Sequence, residues 1–543
     1  MENKKDARLT LAHIYVAFAA LLLGGFSGLL QTLVRSGEFN LPAGIGYYQL
    51  LTVHGVLLAL VLTTFFIVGF LFACMSMTSG AFTHGGRTAG WIGFWVMTVG
   101  TVMTSAAILT GQASVLYTFY APMKAHPTFY IGLALVVVGS WISGFAMFFH
   151  YAKWKKNNKG QTPHIMSFMS VITMSLWLIC TLGVAATVLV QFIPWSLGWN
   201  ERIDVLVSRT LFWYFGHPLV YFWLLPAYIV WYVNIPKIIG GKIFSDSLAR
   251  LAFILFLIFS IPVGFHHQLT EPGIDEKWKF FQVILTFMVV IPSLITAFAM
   301  FATFELAGRR KGFKGLFGWY KALPWGDVRF LAPFVGMLSF IPGGAGGLIN
   351  ASNQMDQVVH NTIWITGHFH LTIATTVLLT FFGICYWLIP SITGRVLTKE
   401  INRLGIIQTV LWGLGMIIMS GSMHLEGLLG APRRSAYSTY NGSDQVMSWI
   451  PYQIAQAVGG TILFIGIILI IYIIIHMLFL APKGKTEFPI GEPEENAGIT
   501  PRIFENWWLW IGIVVALILI AYALPFSHML QHGPMGSKGF KTY

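Results

Sequence analysis

The sequence predicts an all-α membrane bundle of about thirteen crossing helices, N-terminus cytoplasmic and C-terminus outside. Three observations predict it. Of the 543 residues, 56% are apolar and only 10% are charged, against about 25% charged in an ordinary soluble domain. Mean hydropathy is +0.71, and 44 Phe and 20 Trp carry more apolar surface than one water-exposed globule can bury, so lipid is the natural solvent. The Lys and Arg residues, finally, fall unevenly on the loops between apolar runs.

A hydrocarbon core about 30 Å thick needs about 20 helical residues. The first run that meets this is 10–34; it follows Lys4, Lys5 and Arg8 and is long enough to act as a signal anchor. Runs at 48–76 and 88–110 come next, separated by Arg87, and 129–152 ends at the cationic stretch Lys153 to Lys159. Then follow 165–195, 204–234, 248–268 and 278–306, the last closing before Arg309 to Lys321. The remaining runs are 328–352, 360–389, 402–422, 448–480 and 504–528. With these spans, 23 of the 33 cations lie on the side of the N-terminus and 10 on the other, so the positive-inside rule puts the N-terminus in the cytoplasm. A single missed span would scramble that bias. No separate soluble domain interrupts the chain, which reads as one membrane domain over 1–543.

The formal charge of +13 is therefore a topology signal, and nucleic-acid binding is not expected. Cys74, Cys180 and Cys385 stand alone in apolar runs, which excludes CxxC metal sites and covalently attached c-type haem.

Of sixteen His, those at 13, 84, 126, 150, 164, 476, 528 and 532 suit interfaces or loops. Six resist that reading. His54 opens the second span, His217 lies inside the sixth, His266 and His267 close the seventh, and His368 and His370 sit in the first half of the tenth. An unpaired polar group in an apolar medium costs roughly 2 to 7 kcal/mol, so six of them imply partners or metals. Under the alternating topology all six fall in the outer half of the membrane, as one layer of ligands. At about 100° per residue, His368 and His370 diverge by about 200° and serve centres on opposite flanks of their helix. His266 and His267 lie at a helix end, where the backbone can relax so that both reach one ion. Imidazole favours Zn, Cu, Fe or Ni; a copper site from His217, His266 and His267 with haem-iron ligands from the other three uses all six.

Tyr221 stands four residues after His217, on the same face if the helix continues past Pro218. Tyr228 and Tyr232 extend one stripe toward the cytoplasmic end, and Ser293 and Thr296 on the eighth span could join it as a hydrogen-bonded proton route.

These residues resemble subunit I of the haem-copper terminal oxidases over nearly the whole chain. Trp213-Tyr214-Phe215-Gly216-His217-Pro218 with Tyr221, the pair His266-His267 and His368-Phe369-His370 occur in the family's order, with His54 upstream. The likeness is closest to the B-type branch, where Leu or Ile occupies the site of Leu219. The resemblance implies that His54 and His370 are axial ligands of a low-spin haem, expected to be b-type, and that His368 is the single protein ligand of a high-spin haem of a- or o-type. It implies that His217, His266 and His267 hold one copper ion, with Tyr221 covalently joined to His217. Oxygen reduction to water, proton uptake from the cytoplasm and outward pumping would follow. Gly430-Ala431-Pro432-Arg433-Arg434 resembles the motif that clamps haem propionates, and bidentate Arg to carboxylate is the chemistry expected there. Asp356 and His360 match residues near the high-spin propionates.

The A-type Glu at the position of Leu219 and an Asn-rich second proton channel are absent, which implies one uptake route through Tyr232, Tyr228, Thr296, Ser293 and Tyr221. No paired-Cys copper motif exists, so a dinuclear copper site would sit on a partner subunit II, with cytochrome c as the expected donor and quinol as the alternative. Nitric oxide reductase, a relative with iron in place of copper, characteristically adds Glu and lacks the redox Tyr; Leu219 and Tyr221 favour the oxidase. A transporter or haem carrier would need neither oxygen nor Tyr221.

Overall fold

A computed structural model describes residues 4–437, 440–494 and 500–543. Among them twelve helices are long and apolar enough to cross a membrane. In chain order they are α1 (Lys4–Arg35), α2 (Tyr47–Thr78), α3 (His84–Leu109), α4 (Pro127–Asn157), α5 (Ile165–Ser196) and α6 (Val205–Ile238). After the shorter α7 (Asp246–Ser260) come α8 (Glu276–Arg310), α9 (Val328–Ala351), α10 (Ile363–Thr393), α11 (Lys399–Leu428), α12 (Asp444–Leu480) and α13 (Trp507–His532). The seventh expected span thus differs from the others. Its α-helix holds 15 residues, about 22 Å at 1.5 Å per residue, and the rest of the apolar run turns at Pro262 into a tight 3₁₀ segment, Gly264–Gln268. Proline lacks the N–H that would continue the α ladder and constrains the residue before it, so the chain leaves the α conformation just before His266 and His267.

Helix starts follow ordinary capping chemistry. Thr83, Asp204, Ser245, Asp275 and Thr398 each accept a backbone N–H of the first turn that follows, satisfying donors that a helix start leaves free.

Burial ranks the helices. In α2, α6 and α10, 89% of the most apolar stretch is buried, against 22% in α13 and 44% in α3 and α11. These three most buried of the twelve helices are those carrying His54, His217 and the His368/His370 pair, so four of the six candidate ligands sit on the elements farthest from lipid. Each of the three also contains a wide turn with i→i+5 bonding, at Val56–Leu62, Val230–Asn234 and His370–Val377, a distortion that recurs at functional sites.

Short extended pairings tie the loops together. Met123–Lys124 pairs with Phe540–Lys541, and Arg202–Ile203 with Ser537–Lys538. Single bridges join Thr362 to Pro432, Ile243 to Pro493 and Arg395 to Lys483.

Candidate metal centre and its two cavities

α6 runs without a break past Pro218, so His217 and Tyr221 share a face as their spacing predicts. Their rings lie 5.1 Å apart at 63°. The segment Gly264–Gln268 brings His266 and His267 against His217, and the ligand atoms of the three imidazoles all lie within 4.8 Å of one another. His217 Nδ1 and His267 Nε2 are 3.1 Å apart. Two nitrogens bound at about 2.0 Å to one tetrahedral ion stand about 3.3 Å apart, so this spacing fits a shared metal. Thr286 donates its hydroxyl proton to the Gln282 carbonyl and can then only accept from His266 Nδ1, 3.0 Å away. That bond leaves His266 Nε2 bare, the arrangement by which an outer partner fixes a metal-binding tautomer. Trp213 stacks flat on His267 at 3.8 Å and 9°, holding its plane. His217 Nε2 is buried with no partner.

The triad opens into a cavity of about 500 Å³ whose wall also contains Tyr221, Ser293, Asp356, His360, His368 and Arg433. A second cavity of about 260 Å³ is lined by His54, His370, Arg433 and Arg434. His368 and His370 therefore face different cavities from one helix, as their angular divergence predicts. Across the second cavity the rings of His54 and His370 are 6.0 Å apart and within 14° of parallel. Two trans imidazoles on one iron, with bonds of about 2.0 Å and roughly 1.1 Å from nitrogen to ring centre, stand about 6.2 Å apart. The Nδ1 of His54 donates to the Gly24 carbonyl at 2.9 Å and that of His370 to the Thr366 carbonyl at 2.8 Å; a carbonyl only accepts, so each Nε2 is left free for a metal. The residues present thus fit a bis-imidazole haem in one cavity, and a singly ligated haem facing a three-His metal in the other.

Two glycines make room for these rings. A Cβ on Gly28 would lie 2.6 Å from His54 Nδ1, and one on Gly346 would lie 2.8 Å from His368 Nδ1. No sequence spacing points to them, because α1 and α9 meet the ligand helices only in the fold.

At the rim, His360 Nδ1 meets the buried Asp356 carboxylate at 2.8 Å. Arg433 donates to the Asn361 side-chain oxygen at 2.8 Å, and burial, then the neighbouring Arg434, pushes its pKa down to about 10. Arg434 has φ 65°, a strained conformation of the kind held at functional sites, and its Nη2 is buried without a partner. Its guanidinium lies 5.1 Å from the centre of the Tyr120 ring, and that of Arg209 lies 4.5 Å from the same ring. Two adjacent cations crowded at the cavity mouth suit an anionic ligand group such as a carboxylate.

Of the proton-route residues, Tyr232 donates to Thr296 Oγ1 at 2.9 Å and Tyr228 pairs with Ser293. Ser293 reaches the triad cavity, while Tyr228 and Tyr232 are packed beneath it. His13, expected at an interface, is fully buried among Phe65, Phe72 and Phe94, because α1 begins nine residues earlier, at Lys4. His424, unassigned by spacing, packs on Trp364 at 4.9 Å behind the ligand helix.

A polytopic bundle with a three-His metal site opening into one of two cavities, divided by a helix that sends a His into each, defines an integral-membrane oxidoreductase of the haem-copper kind. The profile of the family described as cytochrome c and quinol oxidase polypeptide I matches residues 8–462, and the chain belongs to that family. It is 39% identical to cytochrome c oxidase subunit 1 of Thermus thermophilus, covering 98% of this chain and 96% of that one. It is 24% identical to quinol oxidase subunit 1 of Bacillus subtilis over 86% of this chain and 70% of that one. A haem-copper terminal oxidase dimer solved by cryo-EM superimposes with a TM-score of 0.93 at 36% identity, covering 100% of this chain and 96% of that one. The chain is a multi-pass protein of the bacterial plasma membrane and acts in respiratory electron transport.

Proposed function

We propose that this chain is the catalytic subunit of a B-type terminal oxidase that reduces oxygen to water with electrons from cytochrome c. The observation that carries the reading is the opposite facing of His368 and His370, one toward the three-His site and the other toward His54. When bound, the low-spin haem would supply electron transfer and the high-spin haem with copper the chemistry of oxygen reduction.

The chain's own residues supply the rest. His54 and His370 would hold the low-spin haem, probed by their opposed rings, and His368 would hold the high-spin haem. His217, His266 and His267 would hold copper, with Thr286 and Trp213 fixing two of these rings. Tyr221, whose ring lies 5.1 Å from that of His217, a residue with a partnerless Nε2, would be joined to it and give up a proton. Tyr232, Thr296, Tyr228 and Ser293 form the uptake route, and Arg433, Arg434, Asp356 and His360 meet the propionates. Leu219, buried on α6, supports the B-type assignment because it leaves no carboxylate there for a second channel.

The loop pairings support thirteen crossings with α7 included. The loop before α6 bonds to the segment after α13, and the loop before α7 bonds to that before α13. Bonded loops lie on one side, so an even number of crossings must separate them; both counts are even only if α7 crosses. With the cation bias, the N-terminus is inside and the C-terminus outside, and residues 1–543 act as one membrane domain.

A partner subunit with a dinuclear copper site would deliver electrons from cytochrome c; the quinol oxidases among the relatives keep quinol as the second reading. Oxygen uptake by the purified complex, offered reduced cytochrome c or quinol, tests the proposal. Rapid uptake with cytochrome c is expected, and uptake with quinol alone replaces the donor. No uptake with either, at full haem loading, defeats the oxidase reading.

A further inference from the structure

Three arginines line the cavity between His54 and His370: Arg35, Arg433 and Arg434. They are not equivalent. Arg433 is bonded to the neutral Asn361 and Arg434 keeps a buried partnerless nitrogen, so both remain available to an anionic ligand. Arg35 alone among the three is paired with a carboxylate among the described residues, that of Glu426 at 3.2 Å.

Glu426 is fully buried. Its Oε1 accepts from Arg35 Nη2 at 3.2 Å and from Gln453 Nε2 at 2.9 Å, and its Oε2 accepts from Gln456 Nε2 at 2.6 Å. All three partners are N–H donors, and a carboxylate that accepts at both oxygens matches them where a neutral acid would present a surplus proton. The group joins the last residue of α1, the end of α11 and the start of α12. Gln456, Tyr47 and Gln31 stand beside Arg35 on the cavity wall, so the carboxylate lies one side chain behind that wall. Breaking a buried pair by removing one partner leaves an uncompensated charge, and in a low-dielectric interior such a charge acts over a long range.

The geometry points to Glu426 as a positioning residue that fixes Arg35 against the cavity wall and, by its negative charge, sets the reduction potential of the low-spin haem. The inference rests on the reading above that this cavity holds a haem between His54 and His370. Burial and local charge are among the levers by which a protein tunes haem iron. A fixed anion opposes the added electron, so its loss favours the reduced haem, while loss of Arg35 does the reverse. Glu426 touches no reacting group and moves no proton in this account.

The test is a spectroelectrochemical titration of the intact oxidase complex, following the low-spin haem band with the high-spin band as internal reference. Glu426→Gln, close to isosteric, is expected to raise the low-spin midpoint potential, Arg35→Met to lower it, and Glu426→Asp to leave it near that of the unsubstituted protein. The high-spin haem should move less in each. An unchanged low-spin midpoint in Glu426→Gln with the haem bound overturns the inference, as does movement of Glu426→Gln and Arg35→Met in the same direction, the mark of mere loosening. If Glu426→Gln does not assemble, Arg35→Met carries the test, and failure to lower the midpoint overturns it. Absence of a bis-imidazole haem from the unsubstituted complex would instead defeat the functional reading.

Discussion

The imidazoles of His54 on α2 and His370 on α10 face each other across a cavity with their ring centres 6.0 Å apart and their planes within 14°. Each is oriented by a backbone carbonyl on its far nitrogen, Gly24 for one and Thr366 for the other. That pairing explains why two polar rings can be buried in an apolar bundle. It also predicts that His54→Ala removes the bis-imidazole optical signature while copper, held on the other side of α10, is retained. An unaltered low-spin spectrum in this variant would refute the assignment.

Tyr221 lies beside the His217 ring and on the wall of the triad cavity. Tyr221→Phe keeps the ring and removes the hydroxyl. Proton transfer by a positioned group contributes about 10²- to 10⁴-fold, so oxygen turnover is expected to fall by about 10²-fold or more with both haems still present. Steady-state oxygen uptake measures it, and unchanged turnover would remove Tyr221 from the chemistry.

Gly28 owes its identity to a neighbour rather than to its own helix. Gly28→Ala places a methyl 2.6 Å from His54 Nδ1 and displaces the ring from the Gly24 carbonyl; overpacking of this kind costs about 1 to 3 kcal/mol. The low-spin band should shift or weaken and thermal stability should drop. Gly421→Ala, with open space at its Cβ, should change neither. Equal behaviour of the two variants in the haem spectrum would contradict the packing argument.

His164 caps α5 by accepting the Met166 N–H at 3.1 Å, and burial, then the nearby Arg250, lowers its pKa to about 4. The folded state thus resists protonation that the unfolded chain accepts near 6.5. Above that pH both states are neutral and nothing changes. As pH falls from about 6.5 to about 4 the unfolded chain binds the proton first, and stability is lost. His164→Asn keeps a capping acceptor without the titration, so its melting temperature in detergent should fall less over this window. Parallel curves for the two proteins would exclude His164 from the acid response.

Much of this was legible in the sequence because two periodicities are strict. Apolar runs of bilayer length locate the helices, and 100° per residue sends His368 and His370 to opposite flanks of theirs. The i,i+4 step did the same for His217 and Tyr221. The seventh run was less legible, because hydropathy does not register the turn at Pro262, and α7 stops at 15 residues. Gly28, Gly346, Thr286 and Glu426 were invisible for a different reason. Each acts on a residue of another helix, Arg35 and Glu426 being 391 positions apart, and no local pattern encodes such a meeting.

The central claim is that one layer of histidines holds two haems and a copper ion, divided by α10. Metal and haem analysis of His267→Ala, against the unsubstituted complex prepared in the same way, tests it most directly. The account predicts the loss of one copper per chain with both haems retained. Loss of a non-haem iron instead of copper, or no change in metal content, would contradict it.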